Sequence, residues 1–148
     1  MKTTISKALR VKKRLVEQIR QHTALIRSNN SVLAGNEPDC NVVHEIAERR
    51  RTSQRLVGVK IAIETASAPI RHLILTLSEK KDEIAMLRAL DCTKGKKAKP
   101  YSGDAEEYSA VISDTDRRRY VTEIESEIDN LQEMIDEFNA AHKLEIPD

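Results

Sequence analysis

Aromatic side chains are nearly missing from this chain. It has no tryptophan, one phenylalanine and three tyrosines. That scarcity removes the stacking platforms of single-strand nucleic-acid binders and the ring anchors of a membrane-surface helix. Glycine and proline number only four each in 148 residues, so strong turn signals are few and the periodic segments between them are long. Two cysteines, Cys40 and Cys92, fit free thiols in a reducing, cytoplasmic setting. No run of 18 apolar residues occurs, so no transmembrane helix is expected. The opening MKTTISKALRVKKRL has neither an unbroken apolar core nor a small-residue cleavage site, so no secretory signal is expected. Net charge is only +1, so bulk electrostatics do not mark a polyanion binder.

What is present is helical periodicity and segregated charge. In the last long segment Val121, Ile124, Ile128, Leu131, Ile135 and Phe138 alternate steps of three and four, which lines six apolar side chains along one helix face. Between Val121 and His142 every charged residue is acidic: Glu123, Glu125, Glu127, Asp129, Glu133, Asp136 and Glu137. The first segment is the reverse. Lys2, Lys7, Arg10, Lys12, Lys13, Arg14, Arg20 and Arg27 face the single acid Glu17. Its seam reads Ile5, Leu9, Val16, Ile19 and Ile26, widened by Ala8, Leu15 and Leu25. The two oppositely charged helices are expected to pair, within one chain or between two.

Four long helices are predicted. The first ends near Ser28, before a turn at Gly35–Pro38 under which Val32 and Leu33 should tuck. The second starts near Asp39 or Asn41, both good caps, and runs to about Ala66. Its middle, Glu48 to Arg55, is polar, and Gly58 in its interior suggests a close helix crossing. Pro69 breaks the chain before a third helix, which reaches about Leu90. Ser113 or Asp114 caps the fourth. A small β-hairpin fits the 91–112 loop, with Tyr108–Ile112 as the β-prone piece. The expected fold class is all-α, a single helical domain over residues 1–148, with the helices in an elongated bundle with coiled-coil-like packing.

No motif carries a reaction. GxxxxGK[ST], GxGxxG and HExxH are all missing, and the acids of the last helix have the spacing of a solvated face. Cys40 and His44 are four residues apart but lack a second ligand pair. The expectation is therefore no catalytic residue, no metal and no cofactor. Four basic clusters offer phosphate contacts: the first helix, Arg49, Arg50 and Arg51, the run Lys94, Lys96, Lys97 and Lys99, and Arg117–Arg119. Nucleic acid is thus the alternative partner. The leading expectation is a homo-oligomer, a non-enzymatic scaffolding or protein-interaction protein whose protein partner is unknown.

Short stretches also carry a resemblance. Asn29-Asn30-Ser31-Val32-Leu33-Ala34-Gly35-Asn36-Glu37-Pro38 is similar to the asparagine–valine–glycine–glutamate–proline turn of the septicolysin-like family of small bacterial helical proteins. Ile84–Leu90, Val111–Asp114 and Phe138–Ala141 resemble that family's helix ends. Ile63-Glu64-Thr65-Ala66-Ser67 departs from it, lacking the asparagines that usually close the second helix. The resemblance implies a helical bacterial protein and, from the family's name, a membrane-active one.

Overall fold

The structure, a computed structural model, describes residues 1–98, 101 and 103–147. Lys99, from the predicted basic run, lies outside the described residues. The chain divides into two compact units, Met1–Ile70 with Asp136–Asp148, and Arg71–Ile135. It is mostly helical, with two small antiparallel sheets.

In the first unit, α1 (Ile5–Asn29) packs along α2 (Val42–Ser67). Thr4 caps α1 by accepting from the Lys7 N–H at 3.4 Å. Asn41 caps α2 by accepting from the His44 N–H at 3.0 Å. Both caps satisfy N–H groups that a helix start leaves without a partner. The core between the helices is Ala8, Val11, Leu15, Leu56, Val59 and Ile146, flanked by Ile19, Ala62, Ile63 and Leu144. Ala8 and Val59 are both 0% exposed, and the small Ala8 side chain allows a close approach.

The buried stripe of α1 therefore corrects the predicted seam. Ile5, Ala8, Val11 and Leu15 are buried, whereas Leu9 and Val16 remain 38% and 39% exposed. Both stripes step by three and four residues, and the buried one lies one residue earlier, turning Ala8, Val11 and Leu15 toward α2. The basic α1 thus has α2 as its neighbour within the unit.

A second unforeseen feature seals this core. β1 (Lys2–Thr4) pairs antiparallel with β4 (Lys143–Glu145), Thr3 opposite Leu144. The Ile146 N–H donates to Met1 O at 3.0 Å and the Ile5 N–H to His142 O at 3.1 Å. This clasp delivers Ile146, 3% exposed, into the α1–α2 core. It also explains Gly58. A Cβ there would stand 2.8 Å from Pro147 Cγ. The close approach is by this proline ring, not by a crossing helix.

Buried Asn29 ties down the connection after α1. Its Nδ2 donates to Leu25 O and Ser28 Oγ, both at 3.1 Å, and its Oδ1 accepts from the Asp39 N–H at 2.7 Å. Between these anchors Gly35, at φ +93°, completes a turn in which the Asn36 N–H donates to Leu33 O. A left-handed residue there suits glycine. Leu33 does not tuck under the loop, because the turn holds it outward at 79% exposure.

The predicted break at Pro69 is corrected as well. Ala68–Ile70 form a 3₁₀ turn, and α3 (Arg71–Ala89) follows directly. Pro69 has no N–H to give, and the Ala68 N–H reaches Thr65 O instead. This i→i+3 bond tightens the helix without ending it. From Val42 to Ala89 no residue leaves helical structure. The helical residues form three stretches, not four separate helices.

In the second unit, Ile84 and Leu87 of α3 pack with Ile124 of α4 (Asp114–Ala141), joined by Leu90, Val121 and Ile128. Along the predicted α4 seam Ile124 and Ile135 are buried, and Val121, Ile128, Leu131 and Phe138 are half-buried. The hairpin pairs β2 (Gly95–Ala98) with β3 (Ala105–Tyr108), Lys96 opposite Glu107 and Lys97 opposite Glu106. The second strand lies earlier than the predicted Tyr108–Ile112, and Val111 is fully exposed. Opposite charges facing across the ladder favour this register over the apolar piece, whose side chains find nothing to bury against.

Two substitutions check the packing. Gly58→Ala should gain about 1 kcal/mol of helix propensity in a Pro147→Ala background and distinctly less with Pro147 present, as measured by urea unfolding. Equal gains would refute the Pro147 contact. Asn29→Ala should cost about 1–3 kcal/mol, since it leaves the Asp39 N–H without its acceptor.

Candidate protein-interaction interface

With one face of α1 spent on α2, the remainder presents basic and apolar side chains together. Arg10, Lys13, Arg14, Val16, Glu17 and Arg20 line a shallow groove of about 510 Å³. Glu17 is occupied, accepting from Arg20 Nη1 at 3.3 Å. Among the described residues, Lys7, Arg10, Lys13 and Arg14 have no carboxylate within 4 Å. Four like charges on two turns repel one another. Val16, which lines the groove, and Leu9 are both exposed.

The acidic helix is only partly neutralised. Lys80 of α3 meets Glu127 at 2.8 Å, and Arg88 meets Glu125 at 2.6 Å. The Lys80 ammonium is held above its ordinary pKa, chiefly by its hydrogen bond to Glu127. Glu123, Asp129, Glu133 and Glu137 are exposed and have no cation within 4 Å among the described residues. Met134, 53% exposed, lies among them in sequence.

At the start of α4 the arginine triplet is paired with carboxylates. Asp114 and Asp116 occupy the first turn, where carboxylates complement the helix dipole. Arg117 and Arg118 both bond Asp114, and Arg119 reaches Asp116 at 3.3 Å. Arg117 also donates to Leu90 O at 3.0 Å, satisfying a carbonyl just beyond α3. Ser113 is the cap. Its hydroxyl accepts from the Asp116 N–H at 3.1 Å and donates to Asp116 Oδ2 at 2.6 Å. That hydroxyl bond is the main reason the Asp116 carboxyl is lowered below its ordinary pKa.

The other basic clusters are dispersed or paired. Consecutive helical residues point about 100° apart, so Arg49, Arg50 and Arg51 do not form one patch. Arg49 Nε donates to Thr23 Oγ1 at 2.9 Å, and Arg51 Nη1 bonds Glu48 at 2.5 Å. Lys96 and Lys97 face glutamates across the hairpin, and Lys97 Nζ also donates to Thr93 Oγ1 at 3.2 Å. Lys94 is exposed.

Between α1 and α2, sequence reading missed a polar seam. His22 stood alone in sequence, yet its Nδ1 lies 2.6 Å from Glu45 Oε2, with both side chains largely shielded. These residues are 23 positions apart, and no local pattern joins them. Arg55, in the same seam, is half-buried, and its buried Nε lacks a hydrogen-bond partner. Cys40 is half-buried and His44 exposed near the α2 start. Among the described residues no three of His, Cys, Asp and Glu are grouped to hold a metal ion. Nor is any helix there long and apolar enough to cross a membrane.

Comparison with family models and with curated proteins gives no match. Among solved structures, the chain is similar to that of a functionally unknown conserved protein from Corynebacterium diphtheriae. The two share 15% identity with a TM-score of 0.73 over 98% of this chain and 100% of the other. The likeness is one of fold.

The Ser113–Asp116 cap should leave a pH signature. A lowered carboxyl stabilises the folded chain above its unfolded pKa, and that contribution is lost as pH falls through the lower folded value. Ser113→Ala should cost about 1 kcal/mol at pH 7 as a lost cap. In thermal melts the gap from the parent protein should narrow as the pH drops below the carboxylate range. A gap constant down to pH 2 would show that Asp116 takes no part.

Proposed function

We propose that the protein is a non-enzymatic, self-associating scaffold in which the basic face of α1 in one copy docks on the acidic face of α4 in another. One observation carries this reading: each face holds four charges of one sign with no opposite partner among the described residues. On α1, Val16 lines the groove with Arg10, Lys13 and Arg14, and Leu9 is also exposed, so further burial of the two would supply affinity. Apolar burial is worth about 25 cal/mol per Å², and a single exposed ion pair only ~0–1 kcal/mol. Charge therefore chooses and orients the partner, while the apolar residues hold it. Coiled-coil-like packing between copies suits two long helices presented in this way. The septicolysin resemblance would add a membrane role, but no observation on these faces favours it over self-association.

Sedimentation equilibrium tests the proposal. Association should weaken between about 0.05 and 0.5 M salt, as screening shortens the reach of the charges. Arg10→Glu/Arg14→Glu should weaken it by about tenfold or more, and mixing that variant with Glu133→Arg/Glu137→Arg should restore it. A monomer at every concentration in low salt, or no rescue on mixing, overturns it. Duplex or single-stranded DNA binding that is lost in Arg10→Glu/Arg14→Glu, with no self-association, would assign the same face to a polyanion instead.

A further inference from the structure

A groove on the first unit joins an apolar floor to two unpaired cations. Lys12 of α1 and Lys60, Ile61, Ile63, Glu64 and Thr65 of α2 line a space of about 440 Å³. That volume lies within the range of about 300–1,000 Å³ typical of small-molecule sites. The lining is chiefly apolar. Ile61 is 61% exposed and Ile63 is half-buried, and leaving such surface against water is unfavourable in proportion to its area. Lys12 is half-buried too, and lysine is seldom withdrawn from water unless it is paired. Yet among the described residues neither Lys12 nor Lys60 has a carboxylate within 4 Å or a hydrogen bond from its ammonium. Glu64 also lines the groove, and it lies within that distance of neither ammonium. Two cations against one carboxylate leave the lining net positive.

We propose that this groove binds a carboxylate carrying an apolar chain, as a free fatty acid does. The Lys12 and Lys60 ammonium groups hold the carboxylate, and the chain lies along Ile61 and Ile63. Lysine suits both parts of such a ligand. Its stem is apolar and extends the wall, while its head offers three donors with no fixed plane of approach. Each half of the ligand alone is a poor fit. A bare carboxylate would gain only exposed ion pairs, which are worth little in water. An uncharged hydrocarbon would cover the isoleucines and leave both cations unmet. The pairing of apolar floor with unmatched ammonium groups therefore selects the amphipathic class.

The groove uses none of the α1 residues assigned to self-association, so the two readings stand or fall separately. Calorimetric titration with sodium octanoate at about 0.15 M salt tests it, with sodium acetate supplying the charge without the chain and octanol the chain without the charge. The expected result is one octanoate site per chain, with acetate and octanol each weaker by about tenfold or more. Lys12→Met/Lys60→Met, which keeps most of both stems, should weaken octanoate by about tenfold or more and leave octanol unchanged. Arg10→Glu/Arg14→Glu should bind octanoate as the parent does. If Lys12→Met/Lys60→Met fails to fold, Ile61→Ser at its exposed position should still weaken octanoate. No saturable octanoate binding, or equal binding by the parent and by whichever variant folds, overturns the proposal. So does acetate or octanol binding as tightly as octanoate, since either would reduce the groove to one of its halves. Sedimentation with phosphatidylglycerol vesicles, lost in Lys12→Met/Lys60→Met and without octanoate binding, would overturn it in favour of a membrane surface.

Discussion

Everything in the first unit depends on the close packing of α1 against α2. Ala8 and Val59 leave no exposed surface, and Leu15, Leu56 and Ile146 complete the contact. Full burial of one such larger side chain contributes about 1.5–3 kcal/mol, more than the exposed ion pairs around it. The packing also decides which side chains remain outside. Once Ala8, Val11 and Leu15 face α2, geometry leaves Leu9, Val16 and the cationic cluster on the remaining surface of α1. The candidate interface is thus a consequence of the core, because the residues that fold the unit and those that would meet a partner share one helix.

The two units handle charge differently. In the second, Lys80 and Arg88 are spaced to reach Glu127 and Glu125, the hairpin sets lysine against glutamate, and each arginine of the triplet finds an aspartate within one turn. Basic groups that looked like polyanion contacts are there largely spent on internal balance. In the first, Lys7, Arg10, Lys13 and Arg14 have no such neighbours. A run of basic residues therefore says little until its neighbours are known. The informative quantity is charge left over after folding, and on α1 it is substantial.

Much of this architecture was legible from local patterns, and the failures share one cause. The helices, the Asn41 and Ser113 caps, the turn at Gly35 and the α4 stripe all follow from signals within a few residues. Whatever needed a distant partner did not. The β1–β4 clasp joins segments about 140 residues apart, so no periodicity announces it. Gly58 suggested a close helix crossing, but the group that approaches it is Pro147, 89 residues further along the chain. The α1 seam was placed one residue off, because Leu9 and Val16 keep the same three-and-four spacing as Ala8 and Leu15, and spacing alone does not choose between the two stripes. Pro69 reads in sequence as a break before a new helix, whereas a 3₁₀ turn over Ala68–Ile70 joins α2 to α3. Of the candidate sites, the charged faces were visible in sequence, but their lack of partners was not.

The polar stretch of the α1–α2 seam poses the sharpest energetic question. A seam of Leu, Val and Ala would be as stable or more so, since replacing buried charge with well-packed apolar groups is commonly neutral or stabilising. The seam instead holds Gln18, His22, Glu45, Glu48, Arg51, Thr52 and Arg55, in the stretch where α1 and α2 are otherwise well matched to pack. His22 bonds Glu45 and Arg49 bonds Thr23, each pair drawing one residue from each helix, so both contacts exist in only one register of α1 against α2.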